Sequence, residues 1–154
     1  MHHIAIVMLS LLWLPNFAAL QDKDAKGVAQ ELLNKGALLY DKHDAAVMAE
    51  TYVDNARVTW IEKDKDTGKY TFEHKDGRAE IEKLYRGLFD NPTDKSTSRN
   101  TVEFAKFVSA DLMLIEGTFE PKIDQGKYAF TQERIKQGDR WLIQTLRIYV
   151  VSPY

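Results

Sequence analysis

The order of periodicities along this chain constrains its fold more than any other feature. Apolar residues recur at helical spacing over residues 23–52 and again over 78–90, whereas from residue 99 onward they alternate. Between the helical stretches, residues 57–62 alternate and are rich in β-formers. The turn Asp64-Lys65-Asp66-Thr67-Gly68 then returns residues 69–74 as a hairpin partner. Helices first and a long run of strands after them predict an α+β domain, in which a curved antiparallel sheet wraps three N-terminal helices and its concave side becomes a pocket.

The helical segments carry their own punctuation. Ala25, Val28, Ala29, Leu32, Leu33, Leu39 and Tyr40 form one stripe over 23–40. Asp44 is an N-cap for a second helix whose apolar stripe is Val47, Met48 and Tyr52. Asp54 and Asn55 then turn the chain. Gly77 caps the third helix, with Glu80 placed to reach back to the cap amide, and Asn91-Pro92 ends it. Four strands follow at 101–108, 112–120, 127–136 and 140–151. Ser109-Ala110-Asp111, Asp124-Gln125-Gly126 and Gln137-Gly138-Asp139 link them, short turns that make consecutive hairpins. In the last strand Leu142, Gln144, Leu146, Ile148 and Val150 share one face, and Trp141, Ile143, Thr145, Arg147 and Tyr149 share the other. Neither face is polar throughout, so the outer one is expected to be covered by a second copy in a homodimer.

Composition removes several classes of function. The formal charge of -2 is spread in alternating signs, which leaves no basic footprint for nucleic acid or an anionic membrane surface. With no cysteine there is no disulfide, thiolate chemistry or sulfur-ligated metal. Residues 4–14 are apolar apart from Ser10, no charged side chain precedes Asp22, and His2 and His3 stand where lysine or arginine is usual. Too short to span a bilayer comfortably, this run reads as a secretory signal over 1–20, cleaved between residues 18 and 20. Residues 21–154 then form one domain, periplasmic or secreted and without stable membrane insertion. An uncleaved anchor is the alternative.

Three stretches together resemble the nuclear transport factor 2-like superfamily, which includes ketosteroid isomerase and the SnoaL-like cyclases. Asp44-Ala-Ala-Val-Met-Ala-Glu-Thr-Tyr-Val-Asp-Asn-Ala-Arg-Val-Thr-Trp60 resembles its helix-to-strand junction, Asp76-Gly-Arg-Ala-Glu-Ile81 its third-helix start, and Gln137-Gly-Asp-Arg-Trp-Leu-Ile143 its final hairpin. The resemblance covers about residues 25 to 151 and implies a cone with a deep apolar cavity, often dimeric through the outer sheet face. It does not carry an activity with it. The isomerase pattern places its carboxylate base on Trp60, its tyrosine on Gly36 and its second aspartate on Thr131, so steroid isomerisation is rejected. The paired histidines of the dehydratase branch would have to be His43 and His74, both near element ends.

Laid over the chain, the same pattern turns Met113, Ile115, Gly117 and Phe119 inward, together with Ala129, Thr131, Glu133 and Ile135, and Gln144, Leu146 and Ile148. Trp60, Phe119, Thr131 and Gln144 are then the candidate ligand contacts. Glu133 is the candidate catalytic group, because a carboxylate desolvated in an apolar cavity becomes a usable general acid or base. The plainer reading of Glu133 is an ion pair with Arg134, Arg147 or a lysine at the rim, and that of Gln144 is a core amide bonded to backbone. No cofactor and no metal are implied, and the expected partner is a small apolar or aromatic molecule. Whether the domain is an enzyme, or an interaction module with a vestigial cavity, stays open at this point.

Overall fold

The computed structural model describes residues 17–89, 97–121 and 126–150. The expected export signal lies outside them except for residues 17–20, which form the first turn of a helix. Three helices, α1 (Phe17–Tyr40), α2 (Ala45–Ala49) and α3 (Arg78–Phe89), accompany six strands: β1 (Tyr52–Lys63), β2 (Tyr70–Asp76), β3 (Arg99–Phe107), β4 (Leu112–Glu120), β5 (Tyr128–Gln137) and β6 (Arg140–Val150). The sheet order is β2-β1-β6-β5-β4-β3. The C-terminal half is the meander that its turns predict. One pairing departs from the antiparallel expectation: β6 returns to lie beside β1 in the same direction, which makes the sheet mixed.

The first strand is longer than its sequence suggested, and the second helix shorter. Asp44 does cap α2, its carboxylate accepting from the Val47 amide at 3.1 Å. The helix stops at Ala49, and the Thr51 hydroxyl bonds back to the Met48 carbonyl at 2.7 Å. Tyr52, expected on the helical stripe, opens β1 opposite Ile143. Residues 54 and 55, expected to turn the chain, instead belong to an irregular stretch of strand between the paired positions Tyr52 and Arg57. Further irregularities interrupt the pairing between Val102 and Phe104 and between Glu133 and Arg134. Each bulge adds bend and twist, which is how an open sheet acquires a hollow face.

The helices cover that hollow face, α1 against β3, α3 against β1, and α2 against α3. Ala25, Ala29 and Leu33 on α1 and Ile81, Tyr85 and Phe89 on α3 are buried against Met113, Ile115 and Val58 of the sheet. β3 is an edge strand, and side chains of α1 answer its unpaired backbone groups. Gln30 accepts from the Val102 amide and donates to the Asn100 carbonyl, both at 3.0 Å, and the Asn100 amide donates to the Leu33 carbonyl at 3.0 Å. At the start of α3, Arg78 donates to the Tyr52 carbonyl at 2.7 and 3.1 Å and pairs with Asp54 at 2.9 Å. Gly77 precedes it at φ 82°, a conformation that favours glycine. Glu80 does not form the capping box; its carboxylate pairs with Lys83 at 2.6 Å.

Candidate functional site

Cross-strand pairing fixes which side chains share the hollow face. The row at one end runs Tyr52, Ile143, Arg134, Met113, Phe107 across β1, β6, β5, β4 and β3. The next is Val58, Leu146, Gln132, Ile115, Ala105, and the third is Trp60, Ile148, Phe130, Gly117, Val102. The β1, β6 and β5 members of these rows floor a cavity of about 580 Å³, which α1 and α3 complete with Leu32, Gly36, Tyr40, Leu84 and Tyr85. Edge-to-face contacts of Tyr40 with Phe119 and Phe89, at 5.2 and 5.1 Å between centroids, join α1 to β4 and α3. Gly117 allows the Phe130 ring to lie across it. A Cβ there would stand 3.1 Å from that ring and 2.2 Å from the Thr101 carbonyl oxygen of the neighbouring strand.

The polar part of the cavity comes from β5, β1 and α3. Arg134 is only 5% exposed and lines the cavity, with its Nε donating to Gln132 Oε1 at 2.9 Å and its Nη1 to the Trp141 carbonyl at 3.5 Å. No carboxylate among the described residues pairs with it. Burial brings the guanidinium down to about 10, while the oxygens of Tyr52 and Tyr85 act the other way. Those two hydroxyls are 2.7 Å apart, and both residues are buried. Burial pushes Tyr52 up to about 12 and Tyr85 well above the usual tyrosine value, so both carry their protons at neutral pH. The only carboxylate among the described lining residues is Asp139, on an exposed turn beside Arg140.

Of the residues singled out by sequence, Trp60, Phe119, Leu146 and Ile148 line the cavity, whereas Met113 and Ile115 of the β4 set share the hollow face but are buried in the core and do not reach the lining. The inward set on β5 is corrected by one residue. Phe130, Gln132 and Arg134 face the cavity, whereas Thr131 and Glu133 lie on the opposite face. Glu133 accepts there from the Thr145 hydroxyl at 3.1 Å and pairs with Arg147 at 3.3 Å, its side chain 36% exposed. That is its plainer reading, and it removes Glu133 as a cavity acid or base. Gln144 is the extra residue of the β5–β6 bulge, opposite no partner and absent from the cavity lining. The same bulge reverses the parity of β6, so Trp141 and Ile143 line the cavity; the expected outer-face interface loses both. His43 packs against Phe89, and exposed His74 sits 3.6 Å from Asp76. No cluster of three potential metal ligands occurs among the described residues.

Arg134, Gln132, Tyr52 and Tyr85 form a site the sequence did not disclose. A parity signal for it was present: Tyr128 and Phe130 alternate with Gln132 and Arg134, so two aromatics mark the inward side of β5. Apolar-in reasoning passed over it because the same side continues with an amide and a cation.

No protein-family model matches the sequence, and no curated protein matches it. Solved structures do. An NTF-2-like protein of unknown function from Shewanella oneidensis superimposes with a TM-score of 0.61 at 20% identity, over 78% of this chain and 94% of its own. The fold is that of the nuclear transport factor 2-like proteins. The beta subunit of a putative aromatic-ring-hydroxylating dioxygenase from Novosphingobium aromaticivorans shares it at a TM-score of 0.56 and 14% identity, covering 83% of this chain and 92% of that one. A putative calcium/calmodulin-dependent protein kinase II association domain from Xanthomonas campestris does so at 0.55 and 12%, over 83% and 88%. At such identities the likeness is one of fold.

Proposed function

We propose that this NTF2-like domain is a small-molecule binding protein whose cavity holds one largely apolar or aromatic molecule. The observation that carries this reading is the cavity itself. Its volume of about 580 Å³ lies within the roughly 300–1,000 Å³ usual for small-molecule sites. Trp60, Phe119, Phe130, Trp141, Leu146 and Ile148 supply a predominantly apolar lining, and a few buried polar groups converge at one end. That is the composition such sites need: area for affinity and a small polar set for orientation.

Trp60 and Trp141 both stand in the lining and report occupancy directly. Titration with neutral apolar probes, decanamide and naphthalene-2-carboxamide, is expected to change tryptophan fluorescence saturably and to raise Tm. Folded protein that shows neither response, with these amides or with the corresponding acids, would overturn the reading.

A further inference from the structure

We infer that the molecule held in the cavity carries a carboxylate on its apolar or aromatic body, with Arg134 as the ionic anchor and the Tyr52–Tyr85 hydroxyl pair as a further donor. The inference rests on the binding reading above and adds the chemical class of the ligand.

It follows from a count of donors against acceptors. A guanidinium offers five N–H donors and accepts nothing. Arg134 places two of its donors, on Gln132 Oε1 and on the Trp141 carbonyl, and its Nη2 meets no acceptor among the described residues. Because Arg134 can only donate, the oxygen of Gln132 must be the end that faces it, which leaves the Gln132 amide nitrogen and its two protons for something else. Within the tyrosine pair one hydroxyl proton lies between the two oxygens, and the second has no acceptor among the described residues. The unused capacity of Arg134 is donor only, and the Gln132 amide protons and one tyrosine hydroxyl proton add further donors beside it.

Buried donors without acceptors are costly, and a buried cation without a counter-charge more so. A ligand relieves both by bringing oxygen lone pairs and one negative charge. The carboxylate fits the supply: its two oxygens match the planar fork of arginine, and its single charge matches a single guanidinium. A phosphate dianion would leave a surplus negative charge inside an apolar enclosure. Position agrees as well. Arg134 and Tyr52 lie in one cross-strand row separated only by Ile143, about 10 Å between backbones, and both line the cavity. The aromatic and aliphatic rows beyond them receive the apolar body.

The test compares matched acids and amides, naphthalene-2-carboxylate with its carboxamide and decanoate with decanamide, by titration calorimetry on the native protein at pH 7. Each acid is expected to bind at least tenfold more tightly than its amide. In Arg134→Met the preference for acid over amide should disappear. Acid affinity for the native protein should hold from pH 6 to 8 and fall as the pH passes about 10, where the guanidinium gives up its proton; amide affinity should not follow it. Equal binding of acid and amide would overturn this inference and leave the cavity reading standing. A preference for acid that survives Arg134→Met would also overturn it, assigning the anion to rim cations such as Lys35 or Arg140. No binding of any of the four probes overturns both.

Discussion

Replacing Arg134 by methionine should not destabilise the unliganded domain, although the residue is buried. Burial brings the guanidinium down to about 10. Against an ordinary arginine value of roughly 12.5, and at about 1.4 kcal/mol per pH unit, holding the charge inside costs about 3 kcal/mol. The substitution forfeits the bonds to Gln132 at 2.9 Å and to the Trp141 carbonyl at 3.5 Å, together about 2 kcal/mol. Methionine fills a similar length with an apolar chain, so the balance is about 1 kcal/mol in favour of the variant. Urea unfolding at pH 7 measures it, and Tm should move up by about 2–5 °C. The pH dependence has a definite sign. Below about 10 the folded and unfolded native chains both hold this proton, and the difference between native protein and variant is constant. Above it the folded state releases a proton that the unfolded chain keeps, so the native protein gains on the variant as pH rises. Tyr52 and Tyr85 keep their protons to higher pH than this, because burial holds both above the usual tyrosine value. A loss of about 3 kcal/mol or more on substitution, the usual result of breaking a buried ion pair, would mean that Arg134 already has its anion within the fold.

Gly117→Ala should cost about 2–3 kcal/mol in urea unfolding, since its Cβ would meet a backbone oxygen at 2.2 Å and strand β3 would have to move. Tyr85→Phe should cost about 1–2 kcal/mol by stranding the Tyr52 hydroxyl, and should weaken binding of naphthalene-2-carboxylate more than that of its amide. Glu133→Gln should change stability by less than about 1 kcal/mol, because its partner Arg147 is well exposed, and should leave every ligand affinity unchanged. A large effect of Glu133→Gln on binding would put that side chain back in the cavity.

Local signals placed most of the fold. The described turns and the Gly77 start placed the meander strands and α3 to within a residue or two, because hairpin chemistry and helix capping are decided by neighbours in sequence; Asn91-Pro92 and residues 124 and 125 lie outside the described residues. What local signals could not carry is pairing across long separations. Tyr52 fits a helical stripe as well as a strand start, and only its register with Ile143 puts it in β1. The parallel contact of β1 with β6 joins segments almost ninety residues apart, and no turn announces it. Facing on β5 and β6 failed for a related reason. One unpaired residue at Gln144 exchanges the two faces of a strand, so Trp141 and Ile143 change sides while Leu146 and Ile148 do not. The candidate site suffered most. Its defining groups are a cation, an amide and two hydroxyls on an inward face, where patterning expects apolar residues, and a conflict of that kind is what a functional surface leaves in a sequence.

The most direct test of the account is a crystal structure of the protein grown with naphthalene-2-carboxylate. The ring is expected among Trp60, Phe119 and Phe130, with the carboxylate oxygens within about 3 Å of the Arg134 guanidinium. A ring seated on the outer face of the sheet, or a carboxylate turned toward solvent with Arg134 bonded to some group of the protein itself, would contradict it.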